Sequence, residues 1–167
     1  ALLVTGTGGL AMLAGLIWLT AVTGSSSFKQ IQAARELILQ SSAYLPILLL
    51  ILLGAFTKSA QFPFHFWLPN AMAGPAPVST YLHSATMVKA GVYLLGRLQP
   101  TLGDTGYWFY GLLVVGAVTA LLGAWLSWQK TDLKEMLAYS TVSALGTWVL
   151  LSGVGTELAV ETAVLWL

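Results

Sequence analysis

The 167-residue chain carries seven Lys or Arg and six Asp or Glu, so charged residues make up 8% of it, against roughly 25% in a soluble domain. With 57% hydrophobic residues, 17 glycines and a mean hydropathy of +0.80, this composition excludes an ordinary soluble protein and reads as packed all-α membrane spans in a lipid bilayer. A net charge of +1 offers no basic face for nucleic acid, and zero cysteines remove disulfides, thiolate chemistry and cysteine-based metal sites.

A helix crossing about 30 Å of hydrocarbon needs about 20 residues, and the stretches free of Asp, Glu, Lys and Arg have that length. The first span is predicted at 1–23, before a Gly24-Ser25-Ser26-Ser27 turn. It has no basic n-region and an apolar part too long for a signal peptide. Because the chain starts at Ala1 and stops at Leu167 inside an apolar run, it reads as a fragment of something longer. Gly6-Thr7-Gly8-Gly9-Leu10-Ala11 fits a dinucleotide fingerprint, yet it lies in an uncharged run with no acid about 20 residues on; small residues packing a membrane helix explain it better. No P-loop, zinc-protease motif or nucleophile elbow occurs in the chain.

The connector 29–40 carries Lys29, Arg35 and Glu36 and is expected to be a short interfacial helix. A second span is predicted at 43–69. It cannot be continuous, because Pro63 lacks a backbone donor and its ring clashes with the preceding turn, so a break is expected near 59–63. Further spans are predicted at 77–98, 107–129 and 136–152, with only the start of another at 157–167, where Glu157 and Glu161 stand one turn apart. The loop 130–135 holds the densest charge, and its two lysines favour a cytoplasmic face, with Arg97 and Asp104 on the other side. Most of the seven tryptophans fall near helix ends, as interfacial anchors or packing.

Ionisable residues inside membrane spans are functional candidates. Lys58 immediately precedes the proline break and Lys89 lies inside the 77–98 helix, each either a pathway residue or a lysine snorkelling from a helix end. A break frees carbonyls and amides, and ions, water, Ser59 and Gln61 are candidate partners. His83 shares a helical face with Thr86 and could pass protons or simply pack, as could His65. Burial lowers the pKa of lysines in general, which lets a buried one load and release a proton near neutrality. No cofactor and no metal site is expected.

The stretch from Phe56 to Met72, with Lys58-Ser59-Ala60-Gln61-Phe62-Pro63-Phe64-His65-Phe66-Trp67-Leu68-Pro69 at its centre, continues to Lys89-Ala90-Gly91 and closely resembles one family. It is similar to the antiporter-like subunits shared by Mrp-type sodium/proton antiporters and respiratory complex I. The stretch Lys130 to Val142, with Asp132-Leu133-Lys134 and Leu137-Ala138-Tyr139-Ser140-Thr141, resembles the same family's next loop and helix start. Asn70 and Met87-Val88-Lys89-Ala90-Gly91 fit the Mrp A-type branch better than its complex I relatives, whereas Ala76 and Thr80 depart from the usual pattern.

The resemblance implies an inverted-repeat, polytopic core of which this chain is the middle. In it Lys58 matches the broken-helix lysine, His83 a histidine on the following helix, and Lys89 a lysine present in some members. The leading expectation is a non-enzymatic subunit of a sodium (cation)/proton antiporter in the bacterial inner membrane, multi-pass and hetero-oligomeric, moving protons through Lys58, His83 and Lys89. Ser59, Gln61 and Thr86 support the pathway, and Pro63 breaks the helix. The alternatives are a proton-pumping subunit of a complex I-type NADH:quinone oxidoreductase or related membrane hydrogenase, and a non-conducting scaffold span.

Overall fold

The computed structural model describes residues 1–72, 74 and 87–156. His83, Thr86, Glu157, Glu161, the beginning of the 77–98 helix and the 157–167 helix lie outside the described residues.

Helix α1 (Leu2–Thr23) ends on Gly24 in the left-handed conformation, and two short helices follow, α2 (Phe28–Ala33) and α3 (Arg35–Gln40). Next come α4 (Tyr44–Lys58), a 3₁₀ turn (Phe64–Phe66), α5 (Trp67–Ala71), α6 (Met87–Leu102), α7 (Gly106–Trp128) and α8 (Leu133–Val154). No strand occurs among the described residues, so the fold is all-α. Helices α1, α7 and α8 are long and apolar enough to cross a membrane, whereas α4, equally apolar, has only 15 residues.

Two helix ends differ from the sequence expectation by three residues or more. Helix α6 continues past 98 to Leu102 through Pro100, because a proline in the last turn removes only one intrahelical bond. Gly103 closes that turn by donating its N–H to the Gln99 carbonyl at 2.8 Å. Helix α8 starts at Leu133 rather than 136, with the Met136 N–H on the Asp132 carbonyl at 2.9 Å. A count of uncharged residues skips Lys134 and Glu135, although a first turn outside the hydrocarbon accommodates both.

The Tyr44 hydroxyl fixes how the helices are levelled. It donates to the Leu102 carbonyl at 2.9 Å and meets the Thr105 hydroxyl at 2.5 Å, so the start of α4, the end of α6 and the start of α7 share one edge of the bundle. Helices α2 and α3 join this edge: Arg35 forms an ion pair with Asp104 at 2.8 Å and donates to the Gly103 carbonyl at 3.2 Å, and the Arg97 guanidinium lies 5.5 Å from the centre of the Phe28 ring. At the opposite edge Lys130 pairs with Glu135 at 3.0 Å. That hydrogen bond, with the neighbouring charge second, holds the Lys130 ammonium above its ordinary range.

Between helices in lipid the driving force is close packing and hydrogen bonding rather than exclusion of water, and glycines set the closest approaches. Added side-chain carbons on Gly8 and Gly54 would collide with Thr57 and Met12, so α1 and α4 cross backbone to backbone. Helices α7 and α8 form an antiparallel hairpin in which a Cβ on Gly116 would lie 2.8 Å from the Gly146 carbonyl and one on Gly123 would lie 2.6 Å from the Ser143 nitrogen. Helix α4 is the buried centre, with Ile47, Ile51 and Ala55 along one face and wholly inaccessible.

Candidate functional site

Helix α4 stops at Lys58 and the chain turns sharply through Ser59, Ala60 and Gln61. Ala60 takes a left-handed φ of 50°, which costs an L-residue about 1–2 kcal/mol. The Gln61 N–H then reaches back to the Phe56 carbonyl at 2.9 Å, the longer bond of a Schellman ending. Its usual companion would occupy the Thr57 carbonyl, which here accepts the Trp67 indole N–H at 2.9 Å. The hydroxyl of Ser59 donates to the Ala55 carbonyl at 2.6 Å and the Gln61 amide donates to the Ser59 carbonyl at 3.2 Å. The Phe62 N–H donates to the Thr119 hydroxyl of α7 at 2.9 Å. Ser59 and Gln61 are fully buried, and Gln61 Oε1 has no partner among the described residues.

The break lies deep in the bundle. Measured from the edge that the Tyr44 hydroxyl defines, a rise of about 1.5 Å per residue puts Lys58 roughly 21 Å in, Lys89 roughly 20 Å and Thr119 roughly 21 Å. The full length of α7 is roughly 34 Å by the same rise. Helices α4 and α6 also touch at this level, where a Cβ on Gly91 would stand 2.5 Å from the Ala55 carbonyl and 3.2 Å from the Ser59 hydroxyl.

Lys58 is partly buried, with its ammonium 4.0 Å from the place a Cβ on Gly9 would take. Gly9 thus gives the lysine's end a smooth strip of α1 to lie along. Lys89 is also partly buried, in the first described turn of α6. Ser59 and Gln61 gather at the break with Pro63, whereas His83 and Thr86 lie outside the described residues. His65, in the 3₁₀ turn, stacks on Phe62 with ring centres 6.2 Å apart, and its buried Nδ1 has no partner among the described residues. Beyond the break, Pro69, Asn70 and Met72 line a cavity of about 600 Å³ with Asp132, Leu133, Lys134 and Glu135 at the far edge. Among the described residues no three His, Cys, Asp or Glu converge as for a metal ion.

Sequence reasoning missed Trp67 and Thr119 as partners of the broken backbone. Trp67 falls near a helix end and so reads as an interfacial anchor, yet it is buried and points back into the break. Thr119 carried a usable signal, being the sole hydroxyl between Gly111 and Leu126. A hydroxyl in such a run needs a partner.

A short, glycine-crossed helix that breaks deep in the bundle beside a lysine defines the class, a polytopic membrane protein built on a discontinuous helix. Residues 1–167 match the family described as NADH:quinone oxidoreductase/Mrp antiporter, transmembrane, and the chain belongs to it. It is 52% identical over 164 residues, 98% of its length, to the A/B subunit of a probable K(+)/H(+) antiporter of Rhizobium meliloti, and covers 16% of that protein. It is 51% identical to the A subunit of the Na(+)/H(+) antiporter of Alkalihalophilus pseudofirmus, over 93% of this chain and 19% of that one. The chain therefore spans about a fifth or less of these relatives. Among solved structures, the Mrp complex from Dietzia superposes with a TM-score of 0.93 at 46% identity, over 99% of this chain and 18% of that one. Respiratory complex I from Thermus thermophilus with bound NADH gives 0.79 at 28% identity, over 99% and 37%. The likeness is thus closer to the Mrp antiporters than to complex I.

Proposed function

We propose that this chain is the middle of the large A-type component of an Mrp antiporter, which exchanges sodium for protons across the bacterial inner membrane as part of a hetero-oligomeric complex. It is a transporter segment with no catalytic chemistry of its own. Protons pass along Lys58, His83 and Lys89, with Ser59, Gln61 and Thr86 supporting the pathway. The observation that carries this reading is the ending of a membrane helix at Lys58, at the level of Lys89 and next to a fully buried Gln61 oxygen without a partner among the described residues. Past the break, a cavity lies between Pro69, Asn70 and Met72 and the charged residues Asp132, Lys134 and Glu135.

In inverted vesicles carrying the whole complex, Lys58→Ala abolishes or strongly reduces antiport while the complex still assembles. Wild-type antiport at normal expression would overturn the reading. One relative carries potassium in its name, and the same assay run with sodium and with potassium separates the two cations. The likeness to Thermus complex I supports a second reading, a proton-pumping subunit driven by redox chemistry elsewhere. Copurification with NADH-oxidising iron–sulfur subunits would favour it over antiport.

A further inference from the structure

The break joins two segments with different main neighbours. Up to Lys58 the chain belongs to α4, which is locked against α1 through Gly8 and Gly54 and against α6 through Gly91. After Pro63 it belongs with α5, which packs on α8. Between them, the Phe62 N–H is the last backbone donor before Pro63, which has none. Its acceptor is the Thr119 hydroxyl, 1% exposed, whose own hydrogen goes to the Val115 carbonyl at 2.6 Å. The hydroxyl therefore donates to its own helix while accepting from the break. Thr119 stands between Gly116 and Gly123, the two residues at which α7 is pressed against α8. A displacement of the α7–α8 hairpin would thus be delivered to the backbone four residues from Lys58.

We propose that Thr119 is the positioning residue of the break, pinning the Phe62 amide to the α7–α8 hairpin so that the geometry around Lys58 follows the hairpin. Its partner strap is Trp67, which ties the segment past the break to the Thr57 carbonyl, one residue before Lys58. Thr119 fixes where the break lies relative to α7, and Trp67 fixes it relative to α4. The proposal rests on the antiport reading for its consequence but not for its geometry.

The test uses the intact complex with Thr119→Val, which keeps the shape and loses the acceptor, and Thr119→Ser, which keeps the hydroxyl. Loss of the acceptor of the Phe62 amide predicts roughly tenfold faster deuterium uptake in the peptide covering residues 59–66 for Thr119→Val, with Thr119→Ser within about twofold of wild type. Antiport falls and its pH profile shifts in the valine variant, and both return in the serine variant. If the valine complex does not assemble, Thr119→Ala, which introduces no extra bulk, takes its place. Unchanged uptake in Thr119→Val or its alanine substitute overturns the proposal, as does faster uptake with unaltered antiport and pH profile. Wild-type antiport in Lys58→Ala would instead overturn the antiport reading and leave the exchange result standing.

Discussion

The α1–α4 crossing and the α7–α8 hairpin use the same device for different ends. Both bring backbones together over glycines, Gly8 and Gly54 in the first and Gly116, Gly123 and Gly146 in the second. In the hairpin the approach is closed by partners that satisfy each other, such as the Ser143 hydroxyl on the Ala120 carbonyl at 2.9 Å. At the α1–α4 crossing Gly8 faces the last turn of a helix that is about to break, so the same closeness confines Thr57 and lays Lys58 along Gly9. Close packing around intact helices makes a support, whereas around a helix end it makes a polar site whose dimensions are fixed.

The largest effect is expected from opening the support. A Cβ on Gly146 would stand 2.5 Å from the Ala120 nitrogen and 2.9 Å from the Gly116 carbonyl, so Gly146→Ala forces the hairpin apart at a cost of about 1–3 kcal/mol. It should lower the yield of assembled complex and its melting temperature in detergent, with antiport lost in proportion to protein. Loss of antiport at full yield would mean that the hairpin itself conducts.

Two adjacent residues of α1 sharpen the comparison. Gly8→Ala places its carbon on the Thr57 hydroxyl, whereas Gly9→Ala meets the Lys58 chain at 3.6 Å, an ordinary contact. Gly8→Ala should therefore reduce antiport severely in vesicles, with Gly9→Ala close to wild type. Equal losses would show that the crossing acts through helix spacing alone and not through the lysine-bearing turn.

The smallest change in composition concerns Lys89. Arginine keeps the positive charge but does not give up its proton near neutrality. If Lys89 relays protons, Lys89→Arg should impair antiport almost as badly as Lys89→Ala, measured as sodium-dependent dissipation of a proton gradient. Full activity in the arginine variant, with loss in the alanine one, would mark Lys89 as a fixed charge.

The broad architecture was written in the residue pattern because lipid tolerates so few alternatives. Uncharged stretches of membrane length become helices, since every backbone group must be satisfied within the segment. Pro63 announces an interruption by chemistry that any neighbour must respect. Lys58 and Lys89 likewise draw notice from sequence alone, as charges in apolar surroundings. Helix ends were less legible at Leu102 and Leu133, where a late proline and a charged first turn are both compatible with helix.

What depended on the tertiary structure was the set of partners around the break. Nothing local in the chain distinguishes Trp67 as a donor to the Thr57 carbonyl from the tryptophans at the interfaces, nor assigns the Thr119 hydroxyl to the Phe62 amide rather than to its own helix alone. Those pairings arise because the glycines of α1, α6 and α8 set how closely neighbouring helices approach, and helix spacing decides which distant group reaches an orphaned amide. The residue types therefore determined that the helix would break beside a lysine. The packing of helices far away in sequence decided how deep that break lies and what holds it there.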